Sequence, residues 1–365
     1  MGTYDGRVRL VNPATGKTRW ETQSYPSRAT RVVHNVAMPP DGRFVASVNV
    51  SQENWKLWDA ASGVVCMTSA RHDGTGECVC SMTSSGRRES LDEGCPVQAH
   101  TAGLLAVAYS PCGQTLATGG EDGAVILWNA GTGKAKHILL GHNGRVSKVR
   151  CVTFSVEGTR LASGSYDCSI RVWDTKMGVL LRTIQHAHEG DVSWVQFCPT
   201  DSTILASTQL GNKRLNLWHV ESGERKSSFV GNRFAVFSPG GRTIATPRTA
   251  GASAVQLINV NSGEPTLIMV GHALPVYSIV FSSDGSKLAS GSVDGSCKVW
   301  DSSTGVLLVT IPGDKAICSV AWGRDWVLDT QRVVALVMGH HPRLGAGSRV
   351  PRLDEELLRM ILNLV

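Results

Sequence analysis

One phrase recurs along this chain: LASGSYDCSIRVWDTKMG at Leu161–Gly178, LASGSVDGSCKVWDSSTG at Leu288–Gly305 and, slightly altered, LATGGEDGAVILWNAGTG at Leu116–Gly133. Each copy follows a His and an apolar-aromatic stretch: His100 to Tyr109, His142 to Phe154, His272 to Phe281. Self-similarity at a fixed period marks a fold built of units that cannot bury their apolar faces alone and stack to do so. The units read as short strands broken by Gly, Asp and Ser clusters. Glycine, at 39 of 365 residues, supplies the positive φ that so many tight turns need.

A repeat of about 40 to 45 residues with Gly-His near one end and Trp-Asp near the other is the signature of a β-propeller. Across roughly residues 1 to 340 the chain resembles the WD-repeat (WD40) family. The resemblance implies an all-β fold whose blades are four antiparallel strands. Full repeats open near Arg31, His100, His142, His188, Gly231 and His272. Intervals after the first run from 41 to 46 residues, while the first is 69. TYDGRVRLVNPATG at residues 3–16 matches the second half of a repeat, with Asp5 as turn Asp and Val11 in the Trp position. KAICSVAW at residues 315–322 matches a first strand, and Arg332–Met338 reads as a second. Joined, these halves make a seventh blade, which removes two exposed sheet edges. The expectation is a seven-bladed WD40 propeller closed by its N- and C-terminal half-blades. The competing reading of residues 3–16 is a blade whose first half lies upstream.

Three repeats carry a complete polar set: His100, Thr118, Asp122, Trp128; His142, Ser163, Asp167, Trp173; and His272, Ser290, Asp294, Trp300. Ser, His and Asp together suggest a catalytic triad, but an active site is needed once and this set is repeated. The resemblance implies a structural tetrad, bonded in sequence through each blade, that rigidifies it. Other repeats are degenerate. His188, Ser207 and Trp218 stand with Asn212 near the turn, Ser47 and Trp58 with Gln52, and Phe237 and Thr246 with Ile258 in the Trp position.

Binding residues in the resembled family commonly lie on one rim, after the apolar opener of the first strand and just before the turn Asp. Those positions are His34, Leu105, Arg150, Ser193, Arg233, Tyr277 and Cys318 in the first set, and Tyr4, Glu121, Tyr166 and Val293 in the second. Tyr and Arg on an exposed rim make binding hot spots. Two Arg and three Tyr beside one Glu favour an acidic or phosphorylated peptide over a basic one.

The long first interval holds an insertion at about 64–98. Loops of that length are functional or disordered. Arg87-Arg88-Glu89-Ser90 resembles a site for a basophilic kinase, making Ser90 a candidate phosphosite. His72, Cys78, Cys80 and Cys95, with Cys66 nearby, offer nitrogen and sulfur, but Cys-x-Cys lacks the paired second knuckle of a zinc site, so no metal is expected. After about residue 340 a linker precedes LDEELLRMILNLV, an amphipathic helix at 353–365 that must bury its apolar face on the propeller or in a partner.

Composition narrows the function classes. The net charge of +6 is unclustered, with no Lys/Arg run longer than two, which argues against nucleic acid. Six of the ten Cys (Cys112, Cys151, Cys168, Cys198, Cys297 and Cys318) sit in repeat strands or turns and the ten form no disulfide framework, and no signal-peptide core or long apolar run is present. An intracellular location, cytoplasmic or nuclear, follows. Gly131-Thr132-Gly133-Lys134 lacks the upstream Gly and the following Ser/Thr of a P-loop. Gly86-Arg87-Arg88-Glu89 departs from the Phe/Leu-Arg-Arg-Gly of phosphoinositide-binding propellers. The expected function is therefore a non-catalytic scaffold for peptide or protein partners, with no cofactor, no nucleic acid and no membrane. The alternative is a substrate receptor of a cullin-type ubiquitin ligase, whose Trp-Asp-x-Arg is approached only by Trp173-Asp174-Thr175-Lys176. Lys does not replace Arg at a fork-like contact.

Overall fold

The computed structural model describes residues 7–11, 18–23, 33–39, 41–49, 55–68, 71–72, 78–80, 89–90, 100–142, 147–209, 214–232, 234–248, 253–282, 284–312, 317–321 and 335–338. Among them are six four-stranded antiparallel sheets, each ordered first to fourth strand along the chain. The first sheet comprises Val33–Ala37, Phe44–Asn49, Trp55–Asp59 and Val65–Thr68. The second comprises Leu104–Tyr109, Thr115–Gly120, Val125–Asn129 and Ala135–Leu139. The third comprises Val149–Phe154, Arg160–Ser165, Ile170–Asp174 and Leu180–Ile184, and the fourth Val192–Cys198, Asp201–Gln209, Arg214–His219 and Arg225–Val230. The fifth comprises Val236–Phe237, Thr243–Pro247, Ala254–Asn259 and Pro265–Val270, and the sixth Val276–Phe281, Lys287–Ser292, Ser296–Asp301 and Leu307–Pro312.

First strands of successive sheets lie against one another, so each sheet covers its neighbour's apolar face. The burial follows: LATGG of the second strand and VILW of the third are buried in the second sheet, while the fourth strand is half exposed. Clusters span the junctions, as where Leu205, Trp218 and Phe197 of the fourth sheet meet Ala162 and Val172 of the third. Two hairpins flank the series, Arg7–Val11 with Thr18–Gln23 and Ile317–Ala321 with Ala335–Met338. Arg7–Val11 lies against Ala335–Met338, which brings the two ends of the repeat array together.

The insertion is shorter than its sequence boundaries. Val65–Thr68 pairs with Lys56, Leu57 and Trp58 as a regular outer strand, so the departure from the repeat begins after Thr68 rather than at 64. The inserted segment contains its own small sheet, Arg71–His72, Cys78–Cys80 and Glu89–Ser90. The segment 353–365 lies outside the described residues. No helix of the described residues is long and apolar enough to cross a membrane.

Candidate functional site: a polar spine and a bulged rim

In the third sheet the hydrogen-bond chain runs in one direction. Trp173 Nε1 donates to Ser163 Oγ at 2.9 Å, Ser163 Oγ meets His142 Nε2 at 2.8 Å, and His142 Nδ1 meets Asp167 Oδ2 at 2.9 Å. A carboxylate can only accept, so the imidazole proton sits on Nδ1. Nε2 then accepts from the Ser hydroxyl, whose lone pair is taken by the Trp. The second sheet repeats this at 2.8 Å, 2.8 Å and 3.0 Å through Trp128, Thr118, His100 and Asp122. The sixth does so at 2.8 Å, 2.8 Å and 2.9 Å through Trp300, Ser290, His272 and Asp294. Thr118, Ser163 and Ser290 are fully buried and their protons are committed, so none is an approachable nucleophile. Gly120 stands where a Cβ would come within 2.4 Å of Asp122 Oδ1 and 2.5 Å of His100 Nδ1, while the third and sixth sheets carry Ser165 and Ser292 at this position, each accepting from the turn Asp amide.

Antiparallel topology puts the turn carrying Asp122, Asp167 or Asp294 at the end of the sheets where the first strands begin. At that end the register of the first strand slips in five sheets, skipping one residue each time: His34, Leu105, Arg150, Ser193 and Tyr277. The hairpin Ile317–Ala321 does the same at Cys318. A β-bulge leaves its extra residue out of the ladder and re-aims it. The second set is stitched to the same opening: Glu121 N donates to Gly103 O at 2.8 Å, Tyr166 N to Lys148 O at 3.0 Å and Val293 N to Pro275 O at 3.0 Å. Glu121 also pairs through Oε1 with Lys148 Nζ at 2.5 Å.

Exposure divides these positions. Tyr277 is exposed, and Glu121, Arg150, Tyr166, Ser193 and Val293 are half-buried. Leu105 is the exception: at 4% exposure its side chain is buried, as an aliphatic group gains by leaving water. Tyr4 and Arg233 lie outside the described residues, and His34 and Cys318 are placed by register alone.

A family model described as "WD domain, G-beta repeat" matches residues 94–129, 133–174 and 263–301. These three stretches carry WD40 repeats. The matched stretches contain the first three strands of the second, third and sixth sheets, those with the complete spine. Among similar proteins, Periodic tryptophan protein 2 of Arabidopsis thaliana is 29% identical over 60% of this chain and 24% of its own length. Angio-associated migratory cell protein of Homo sapiens is 28% identical over 56% of this chain and 47% of its own. Guanine nucleotide-binding protein subunit beta of Zea mays is 26% identical over 57% of this chain and 58% of its own. The chain thus spans between a quarter and somewhat over half of these relatives. WD40 domains bind protein partners.

The sheets outside the family match solve the same packing problem with other groups. In the fourth sheet His188 Nε2 and Trp218 Nε1 both meet Ser207 Oγ, at 2.8 Å and 2.7 Å. His188 Nδ1 faces Asn216 Nδ2 at 3.4 Å instead of a carboxylate, and Asn216 also donates to Ala187 O at 3.2 Å. Asn216 sits on the third strand, not the turn, which is why spacing to the Trp overlooked it; Asn212 lies outside the described residues. In the fifth sheet Ile258 occupies the Trp register opposite Ile244, and Thr246 Oγ1 donates to Phe234 O at 2.9 Å. In the first, Trp58 Nε1 still donates to Ser47 Oγ at 2.8 Å, while Arg31 and Gln52 lie outside the described residues.

Titration follows from burial and bonding. Burial pushes the Asp167 carboxyl up, but the hydrogen bond and charge of His142 and the bonds from Ser169 outweigh it and leave the group at about 2. For Asp294 burial is likewise outweighed, here by the Ser296 hydroxyl and amide, the Ala273 amide and His272, again at about 2. Burial lowers His142 and His272 despite their Asp partners, so both are neutral donors near pH 7. His188, without a carboxylate, is pulled down by burial to about 4. Burial drives Cys151 and Cys297 to about 12, so these thiols are packing groups. In the inserted sheet, register sets His72 opposite Cys78, Cys80 opposite Glu89 and Ser90 opposite Val79. Cys95 lies outside the described residues.

Proposed function

We propose that this chain is a non-catalytic protein-interaction scaffold that presents the bulged end of its sheets to an acidic or phosphorylated peptide. In this reading residues 1–340 form a seven-bladed ring, with the segment Arg7–Val11 and the hairpin Ile317–Met338 sharing the last blade. The insertion after Thr68 and residues 341–365, with the helix at 353–365, are appendages, and the chain works inside the cell, in cytoplasm or nucleus.

The supporting observation is the bulge, which recurs at the same end of the first strand and throws out a different residue each time. A purely structural position would be filled alike, as the His, Ser/Thr and Trp positions of the spine are in the second, third and sixth sheets. Arg150, Tyr166 and Tyr277 give this end its aromatic and cationic character, while the carboxylate of Glu121 is already neutralised by Lys148. Arg150→Ala is expected to weaken binding of acidic or phosphorylated peptides by about tenfold, the cost of losing one moderate hot-spot contact. A peptide array carrying acidic, phosphorylated and basic sequences checks this. Stronger retention of the basic peptides, or indifference to Arg150→Ala, contradicts the proposed partner chemistry.

A further inference from the structure

At the opposite end of the sheets, the junction between the fifth and sixth holds a half-open cavity of about 330 Å³. Its walls include Leu257, Leu267 and Phe281, and its hydroxyls come from Thr243, Thr266, Ser302 and Ser303. The repeat itself indicates what belongs there. In the second sheet the residue in the register of Thr266 is Lys136, whose ammonium donates to Thr115 Oγ1 at 2.9 Å; Thr115 holds the register of Thr243. The residue in the register of Leu267 is His137, whose Nε2 lies 3.0 Å from the carbonyl of Lys176 in the third sheet. One junction on, Arg182 of the third sheet donates to the carbonyl of Glu221 in the fourth. Two neighbouring junctions thus fill this slot with a basic side chain, bonded to a turn carbonyl of the next sheet. At the fifth sheet both positions have lost their donors: Thr266 is short, and Leu267 has nothing to give the matching carbonyl of Ser303.

Three of the lining hydroxyls spend their protons inside the protein, while that of Ser238 accepts from Thr243 N at 3.2 Å. Thr266 Oγ1 donates to Leu257 O at 3.3 Å, Ser302 Oγ to Gly285 O at 2.6 Å and Ser303 Oγ to Asp301 Oδ1 at 2.6 Å. With those protons spent inside the protein, the hydroxyls offer the cavity lone pairs. Asp301 and Asp284, next in sequence to Ser302 and Gly285, are ionised, held at about 2 chiefly by the Ser303 and Ser282 hydroxyls respectively. Lys287, opposite Asp301 in register, and Arg242, preceding Thr243, stand at the same end, so charge alone does not select the ligand. The acceptors and the apolar wall do.

We propose that the cavity between the fifth and sixth sheets receives a lysine side chain of a partner protein. Its stem packs on Leu257, Leu267 and Phe281, and its ammonium donates to the Thr243 hydroxyl and the Ser303 carbonyl, as Lys136 and His137 do within the chain three junctions earlier. A pocket of this size, with an apolar wall facing convergent hydroxyls, is of the kind that holds one small group. This site is separate from the bulged rim and independent of the peptide chemistry assigned there.

The test uses saturation-transfer NMR on the full chain at millimolar ligand, comparing N-acetyl-lysine methylamide with N-acetyl-norleucine methylamide, which keeps the four-carbon stem and lacks the ammonium. The expected result is binding of the lysine compound at least about tenfold tighter, the value of one charge-assisted contact. Thr266→Lys, on an exposed strand position, should refill the slot from within and abolish that binding with an unchanged melting curve. Leu267→Arg, patterned on Arg182, should do the same and serves if Thr266→Lys fails to fold. Equal signals from the two compounds, no signal from the lysine compound, or undiminished binding by both folded variants overturns the proposal.

Discussion

Trp173→Ala is expected to destabilise the third sheet by about 3–5 kcal/mol, the range for emptying a buried Trp site. The side chain is 2% exposed and packs edge-on to His142 with ring centroids 6.5 Å apart. Its loss opens a cavity against Leu161 and Val149 and removes the donor that starts the spine at Ser163. Trp173→Phe separates the two effects. It retains most of the volume and forfeits only the N–H, so it should cost about 1–2 kcal/mol, close to one hydrogen bond. Hydrogen exchange read sheet by sheet is the suitable measurement, because a repeat array loses protection locally before it unfolds globally. Equal costs for the two variants would mean that volume contributes little and the spine is wrongly weighted.

The second large effect is a dependence on pH traceable to His188. Its folded value of about 4 lies below the ordinary His value near 6.5, so between those limits the unfolded chain binds a proton that the folded one refuses. Stability is therefore complete above about pH 6.5 and falls as the solution is acidified toward pH 4, by about 3 kcal/mol for this one group. His188→Gln cannot titrate. Urea unfolding at pH 7 and pH 4 should show the wild-type loss reduced by about that amount, whatever the variant costs at pH 7. An unchanged difference between the two pH values would assign the acid sensitivity elsewhere. The Asp-bearing sheets behave differently near the acid limit: depressed Asp167 and Asp294 contribute stability above the ordinary Asp value that is lost as pH falls through about 2.

The sequence was most legible where one residue type recurs for one physical reason. Asp122, Asp167 and Asp294 mark turns, Trp128, Trp173 and Trp300 mark third strands, and the sheets stand where those residues put them. Residues around the rim were named by position, but their geometry was hidden. A bulge such as that at Arg150 or Tyr277 is a property of pairing between strands, and a one-residue slip leaves no trace in a single strand's alternation. Leu105 occupies the same bulge position yet is buried, so position in the repeat did not determine exposure. Asn216 went unnoticed because it substitutes for the turn Asp from another strand. The outer boundary of the insertion was misjudged at Val65–Thr68 because VCMT carries none of the turn signals that mark the other repeats.

The central claim is that function resides at the bulged end of the sheets and not in the spine beneath it. Affinity purification with mass spectrometry, comparing the intact chain with Arg150→Ala, Tyr166→Ala and Tyr277→Ala combined, tests it most directly, provided both give the same circular-dichroism melt. The expected result is a set of partners held by the intact chain and lost by the folded variant. Full retention of those partners by the variant would contradict the assignment and move the interaction surface away from this rim.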